Sequence, residues 1–157
     1  MPQSFEFHEV ADRLFVGPCP DSPERIKALR QQGINALVCV QTDRDLEALG
    51  LTWALLWRFL MAQGISAERK PITDFDDISL VQGLPDAVAA VQSMHAGGRS
   101  VYLHCTAGLN RSPTVAIAWL VAHQGLNLDA AWAQVSTRRS VVPNRTALIH
   151  WQLRRNT

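Results

Sequence analysis

The residues best equipped for chemistry stand close together: His104, Cys105, Gly108, Arg111 and Ser112, within V-Y-L-H-C-T-A-G-L-N-R-S-P-T at residues 101–114. Residues 100–103 form a mostly apolar run that predicts a short buried strand ending at His104. Residues 105–110 make a six-position loop, after which Ser112, Pro113 and Thr114 open an apolar helix over 115–123. Pro113 suits a first helical turn, where an N–H would lack a partner in any case. A strand that turns directly into a helix N-terminus presents unpaired backbone N–H groups, and these attract anions. Gly108 lets the loop take angles closed to other residues, so that the N–H groups of Thr106, Ala107, Gly108, Leu109 and Asn110 can turn inward around a phosphate. Arg111 adds a planar fork able to grip two phosphate oxygens at once. At the floor of this cradle, the helix end and Arg111 favour the thiolate form of Cys105. A thiolate beneath a bound phosphate is a nucleophile aimed at phosphorus. The plainer alternative, a buried Cys and His at a strand end beside a solvated arginine, leaves the agreement of motif and context unexplained.

Phosphoryl transfer to sulfur needs a proton donor for the leaving oxygen, and a carboxylic acid near the loop can supply it. Asp74, Asp76 and Asp77 form the acidic cluster on a predicted strand-to-helix loop, residues 73–77. Spacing does not choose among them, and each also reads as a solvated carboxylate or a helix cap. Ser112 can donate to the sulfur or cap the helix that follows. His104 is expected to orient the loop through a backbone hydrogen bond rather than to titrate. Phe75 flanks the acids at the mouth of any pocket, where a ring could stack on a sugar or on a phosphotyrosine. The five tryptophans fall mostly in helical patterns and are expected in the core. Arg138, Arg139 and Arg145 read first as a solvated helix end and second as a steering patch. Cys39, in an apolar strand, reads as a small core residue, with a disulfide to Cys105 open to it if their strands are neighbours. The histidines show no metal-ligand spacing, so neither metal nor cofactor is expected.

The elements that must position these groups follow from the pattern. Residues 5–10 and 13–17 alternate as a two-strand ribbon would, and Asp21 or Ser22 then caps a helix with Pro23 in its first turn. An apolar run at 34–40 predicts a strand buried on both faces. A short helix at 46–49, a helix at 53–63, a strand at 68–72 and a helix at 84–95 with Pro85 near its start come next. Two further helices, 128–138 and 145–154, follow Asn127 and Asn144 as caps. Strands alternating with helices predict an α/β fold, a central, mostly parallel sheet flanked by helices, with its ligand at the carboxyl ends of the strands.

At 157 residues, 47% hydrophobic and 18% charged, the chain has the length of one domain and the composition of a folded one. A formal net charge of +1 offers no whole-chain case for nucleic acid or an anionic membrane, so attraction for phosphate must be local. No apolar run is long enough to span a bilayer, and no secretory signal is visible at the start. Three cysteines, one of them needed as a free thiolate, point to a reducing, cytoplasmic compartment. The expected partner is a phosphorylated substrate; oligomeric state is not legible.

The loop H-C-x-x-G-x-x-R-S resembles the signature of the cysteine-dependent protein tyrosine and dual-specificity phosphatases. From R-L-F-V-G-P at the start to R-R-S-V-V-P-N near the end, most of the chain is similar to the dual-specificity branch. Within it, Q-T-D-R-D-L-E (residues 41–47), I-T-D-F-D (72–76) and H-C-T-A-G (104–108) resemble the laforin and plant starch phosphatase group. One departure is Asn110, where that group has Gly before the signature arginine. The resemblance implies one catalytic domain over residues 1–157, hydrolysis through a phosphocysteine on Cys105, Asp74 as general acid and a phosphoglucan substrate. The alternatives are phosphotyrosine, phosphoserine or phosphothreonine proteins, and a catalytically inactive phosphate-binding module. A phosphoinositide ranks last, because Thr106, Ala107, Leu109 and Asn110 carry no charge to meet several phosphates.

Overall fold

The computed structural model describes residues 4–156. In chain order the elements are β1 (His8–Ala11), β2 (Leu14–Gly17), α1 (Pro23–Gln31), β3 (Ala36–Cys39), α2 (Asp43–Ala48) and α3 (Trp53–Ala62). Then come β4 (Ser66–Arg69), α4 (Asp77–Ala96), β5 (Val101–His104), α5 (Arg111–His123), α6 (Leu128–Arg138) and α7 (Arg145–Arg155). The sheet order is β1-β2-β5-β3-β4. Only the β1–β2 ribbon is antiparallel; β2, β5, β3 and β4 all run the same way, as the α/β expectation required.

Local chemistry sets most of the boundaries. Ser22, Thr52, Asn127 and Asn144 each accept the backbone N–H three residues on, fixing the starts of α1, α3, α6 and α7. Thr42 and Asp45 form a reciprocal capping box that starts α2 at Asp43, ahead of the expected 46. Asp76 accepts from the Ser79 N–H and starts α4 at Asp77, well before the expected 84, so Pro85 lies inside that helix rather than in its first turn. An interior proline costs about 3 kcal/mol. Burial of Leu80, Leu84, Ala87, Val88 and Val91 offsets it. β4 lies earlier than the expected 68–72, yet Lys70 and Ile72 still donate to Cys39 and Val40 carbonyls at 2.8 and 2.9 Å, so the chain stays beside β3 after the strand ends.

β3 and β5 are buried at every position, so β3 is apolar throughout, and the two polar groups of β5, on Tyr102 and His104, are hydrogen-bonded to the Pro18 and Cys105 carbonyls. Side chains alternate across the sheet. Val101 and Leu103 enter a core shared with α4, α5, α6 and α7, whereas Tyr102, Leu37 and Cys39 enter a second core under α1 and α3. Trp119 and Trp151 are buried as expected, but Trp57 is 41% exposed on α3. Among the described residues no helix is long and apolar enough to cross a membrane.

Candidate active site

Because four strands run parallel, the loops leaving β2, β3, β4 and β5 emerge at one edge of the sheet. The chain leaves β5, turns through residues 105–110 and enters α5 at Arg111. Gly108 takes φ +71°, and a Cβ there would overlap the backbone of Gly17 at the end of β2. Only glycine meets both demands. The loop carbonyls are held from outside the turn. Arg139 donates from Nε to Gly108 O at 2.9 Å and from Nη2 to Ala107 O at 3.2 Å, and the Cys19 N–H donates to Thr106 O at 3.0 Å. With those carbonyls drawn outward, the N–H groups of the same peptides turn inward. Arg139 therefore departs from the solvated helix end that the sequence suggested: it is 8% exposed and also bonds Glu6 O and His8 Nδ1.

His104 is fully buried, and its Nδ1 donates to the Cys105 carbonyl at 3.0 Å. Burial pushes its pKa down to about 4, so the ring is a neutral brace under the loop. The Cys105 Sγ lies 3.2 Å from Ser112 Oγ. Asn110, not Ser112, takes the N-cap position of α5 and makes no side-chain cap bond; its amide instead donates to Val142 O at 2.7 Å. Ser112 is thus committed to the sulfur, and its capping alternative is absent.

Arg111, 2% exposed, is held on several sides. Its Nη1 donates to Asp45 Oδ2 at 2.6 Å and to Ile72 O at 2.9 Å. Its Nη2 donates to Thr106 Oγ1 at 3.3 Å, and its Nε lies 3.2 Å from Asp74 Oδ1. Gln41, fully buried after β3, donates to the same Thr106 hydroxyl at 3.0 Å. Burial alone would raise the pKa of Asp45, but the hydrogen bonds from Arg111 and the Thr42 N–H, with the Arg111 charge, carry it below the ordinary range.

The three clustered acids have separate work. Asp76 caps α4, and Asp77 accepts from the Asn144 amide. Asp74 alone of the three lines the cavity that holds Cys105 and Arg111. That cavity, about 360 Å³, is also walled by Phe75, Thr106, Ala107, Leu109, Asn110 and Val142. Phe75 stands 97% exposed at its mouth in a left-handed conformation, φ +57°, its N–H donating to Asp74 Oδ1 at 3.1 Å. A larger cavity of about 490 Å³ shares Thr106, Ala107 and Leu109 but opens on His8 and Arg139, and Cys105 does not line it. The Cys105 sulfur therefore belongs to the smaller one. Cys39 stands opposite His104 on the neighbouring strand; burial pushes its thiol up to about 12, and no cysteine is in a disulfide.

The sequence singles out neither Asp45, Gln41 nor Val142 as part of this site, and it offers Arg139 only as a member of a steering patch, not as a support of the loop. The one local signal among them is Thr42-x-x-Asp45, a capping-box spacing that marks where α2 begins and hence where Asp45 points.

A cysteine at the end of a central parallel strand, a tight loop over it and a buried arginine opening the next helix define the class of cysteine-loop phosphatases. Residues 14–155 match the family described as "Dual specificity phosphatase, catalytic domain", and the chain belongs to that family. It is 33% identical over 144 residues to the phosphoglucan phosphatase DSP4, amyloplastic, of Castanea sativa, an alignment covering 90% of this chain and 38% of that protein. To laforin of Mus musculus it is 26% identical over 151 residues, covering 89% and 46%. The chain thus spans less than half the length of these relatives. Human DUSP28 superposes with a TM-score of 0.77 at 23% identity, covering 99% of both chains, and Tk-PTP in its active form does so with 0.77 at 22%, covering 94% of both. At those identities the likeness is one of fold.

Proposed function

We propose that this chain hydrolyses phosphomonoesters through a phosphocysteine on Cys105, and that its substrate is a phosphorylated glucan. The observation that carries the reading is the cavity in which Cys105, Arg111 and Asp74 meet, with Ser112 against the sulfur. The N–H groups of residues 106–110 and the Arg111 fork hold the phosphoryl oxygens. The Cys105 thiolate attacks phosphorus; the S–P bond forms as the bond to the leaving oxygen breaks, and Asp74 delivers its proton to that oxygen. Water then attacks the phosphocysteine, giving a proton to the Asp74 carboxylate. The S–P bond breaks with its electrons returning to sulfur, where the Ser112 hydroxyl hydrogen-bonds the thiolate, and inorganic phosphate leaves. Neither step calls for a metal or a cofactor, and a nucleophilic thiolate needs a reducing compartment. Two relatives carry plastid names, amyloplastic and chloroplastic, so the cytoplasm is one such setting among several.

The glucan preference rests on the phosphoglucan phosphatase and laforin relatives and on the exposed Phe75 ring as a sugar platform. A phosphoprotein is the second reading, favoured by the 26% identity over 137 residues to Dual specificity protein phosphatase 2 of Mus musculus. Turnover of para-nitrophenyl phosphate by the wild type and its loss in Cys105→Ser is the expected result; equal turnover by both removes the phosphocysteine. Phosphate release from solubilised starch or glycogen, set beside a panel of phosphotyrosine and phosphothreonine peptides, decides the substrate. Release from peptides with none from glucan overturns the glucan assignment.

A further inference from the structure

The Arg111 guanidinium has two unequal sides. Its Nη1 points away from the cavity, into a fixed socket made by Asp45 Oδ2 at 2.6 Å and the Ile72 carbonyl at 2.9 Å. Its Nε and Nη2 face Asp74 and Thr106, both of which line the cavity. The Nε–Nη2 edge is the one that can take a phosphate side-on, two N–H groups to two oxygens. In the structure Asp74 sits on that edge at 3.2 Å, so a phosphate must take the place of the Asp74 carboxylate there.

The two carboxylates are built differently. Asp74 lies on the loop with the exposed Phe75, its side chain 30% exposed. Asp45 is 18% exposed, and the Oδ2 that receives Arg111 also receives the Thr42 N–H at 2.9 Å. The Thr42 hydroxyl in turn accepts the Asp45 N–H at 3.3 Å. The α2 that carries Asp45 is pinned again where Asp43 pairs with Arg69 of β4 at 2.7 Å. One carboxylate is therefore locked by its own helix start, and the other stands on a loop at the mouth.

We propose that Asp45 is a positioning residue: from the start of α2 it fixes the Nη1 side of Arg111, so that the Nε–Nη2 edge is presented to the oxyanion while Asp74 is released to act as acid. The inference rests on the phosphomonoesterase reading of the site, but it concerns oxyanion binding and is measured separately from turnover. Its sign separates it from a plain charge effect. Removing a carboxylate beside an arginine should, by Coulomb's law alone, tighten anion binding. Loss of a held geometry should loosen it.

The test titrates tungstate into the wild type, Asp45→Ala, Asp45→Glu and Thr42→Ala, with para-nitrophenyl phosphate turnover and melting temperature measured beside it. Asp45→Ala is expected to bind tungstate about 10-fold more weakly and to lose on the order of 100-fold in kcat/KM, the scale of a misplaced catalytic group. Asp45→Glu keeps both the charge and the capping-box chemistry while moving the carboxylate. It is expected to keep the wild-type melting temperature and still bind tungstate several-fold more weakly, so it carries the test if the alanine variant does not fold. Thr42→Ala loses half of the same cap and should melt lower, yet bind tungstate within about twofold of wild type because Asp45 still reaches Arg111. Unchanged or tighter binding in Asp45→Ala, or in Asp45→Glu where the alanine variant is unfolded, overturns the proposal. So does an equal loss in Thr42→Ala, which would make Asp45 a helix cap and nothing more. A wild type that binds tungstate in this pattern without hydrolysing any phosphomonoester removes the enzymatic reading and leaves the positioning role standing. A wild type that binds no tungstate removes the role itself.

Discussion

Arg111 is one positive charge between two carboxylates, and that balance governs the chemistry at the scale of single residues. A phosphate dianion reaching the Nε edge competes with the Asp74 carboxylate for it, and the competitor is also the proposed acid. Asp74→Asn is therefore expected to act in opposite directions on two measurements. Oxyanion affinity rises, because a neutral amide yields the arginine more readily than a carboxylate does. Turnover of a substrate with a poor leaving group falls by about 10²–10⁴, the usual worth of a positioned acid. Asp76→Asn does neither, because Asn caps a helix as well as Asp does. Tungstate titration and steady-state kinetics on the two variants check the pair of signs, and an acid at position 76 would reverse the ranking.

Among the elements, the end of α6 contributes most to the site relative to what its sequence suggests. Arg139, just past the helix, holds the Ala107 and Gly108 carbonyls of the signature loop from behind, so that the N–H groups of the same planar peptides point the other way, into the turn. Arg139→Met keeps the length of the stem and removes every donor. It is expected to cost about 3 kcal/mol of stability, since charged hydrogen bonds are lost and loop carbonyls are left unmatched. Tungstate affinity should fall with it, because the loop no longer has a reason to keep its turned peptides. Arg138→Met, one residue earlier and exposed, should stay within about 0.5 kcal/mol of wild type. Urea unfolding of the two variants gives the contrast directly. If the two behave alike, the basic pair is a solvated patch after all.

At the scale of the whole molecule the sheet sets a pH limit. His104 ends the central strand and is buried as a neutral ring with its pKa down at about 4, against an ordinary value of about 6.5 when unfolded. Between those values the unfolded chain binds a proton that the folded one does not. Stability is therefore full above about pH 6.5, falls as the pH drops toward 4, and takes no further loss from this group below it. Asp45 adds a separate limb with a depressed folded pKa, whose contribution is complete above the ordinary carboxylate range and is lost as the pH falls through its folded value. Urea unfolding between pH 4 and pH 7 should show the first limb, and His104→Asn, whose amide can still donate to the Cys105 carbonyl, should flatten it. A slope unchanged in that variant would assign the acid sensitivity to other groups.

What the chain's own order of residues determined was everything that depends on near neighbours. The strand, loop and helix around Cys105 came from H-C-x-x-G-x-x-R-S and its apolar flanks, because the glycine turn, the first-turn proline and the arginine at the helix start act within a dozen residues. The starts of α6 and α7 at Asn127 and Asn144 were legible for the same reason, and that of α1 to the pair Asp21 and Ser22, since a cap reaches only three residues on. The alternation of strands and helices likewise fixed the α/β class. Strand order was not legible, and the site depends on it. Placing β5 between β2 and β3 brings Gly17 against Gly108, Gln41 against Thr106 and Asp45 against Arg111, contacts 65 to 91 positions apart whose closeness no local pattern records. Seeing that Asp74, and not Asp76 or Asp77, lines the cavity needed the fold as well. All three lie on one short stretch with the same chemistry; Asp76 is taken by the local cap of α4, and Asp77 by the Asn144 amide that the start of α7 brings against it. Arg139 changed meaning most, because burial is a property of the assembled chain: beside an exposed arginine at 138 its sequence reads as a solvated pair, and the loop that closes over it arrives from 31 residues away.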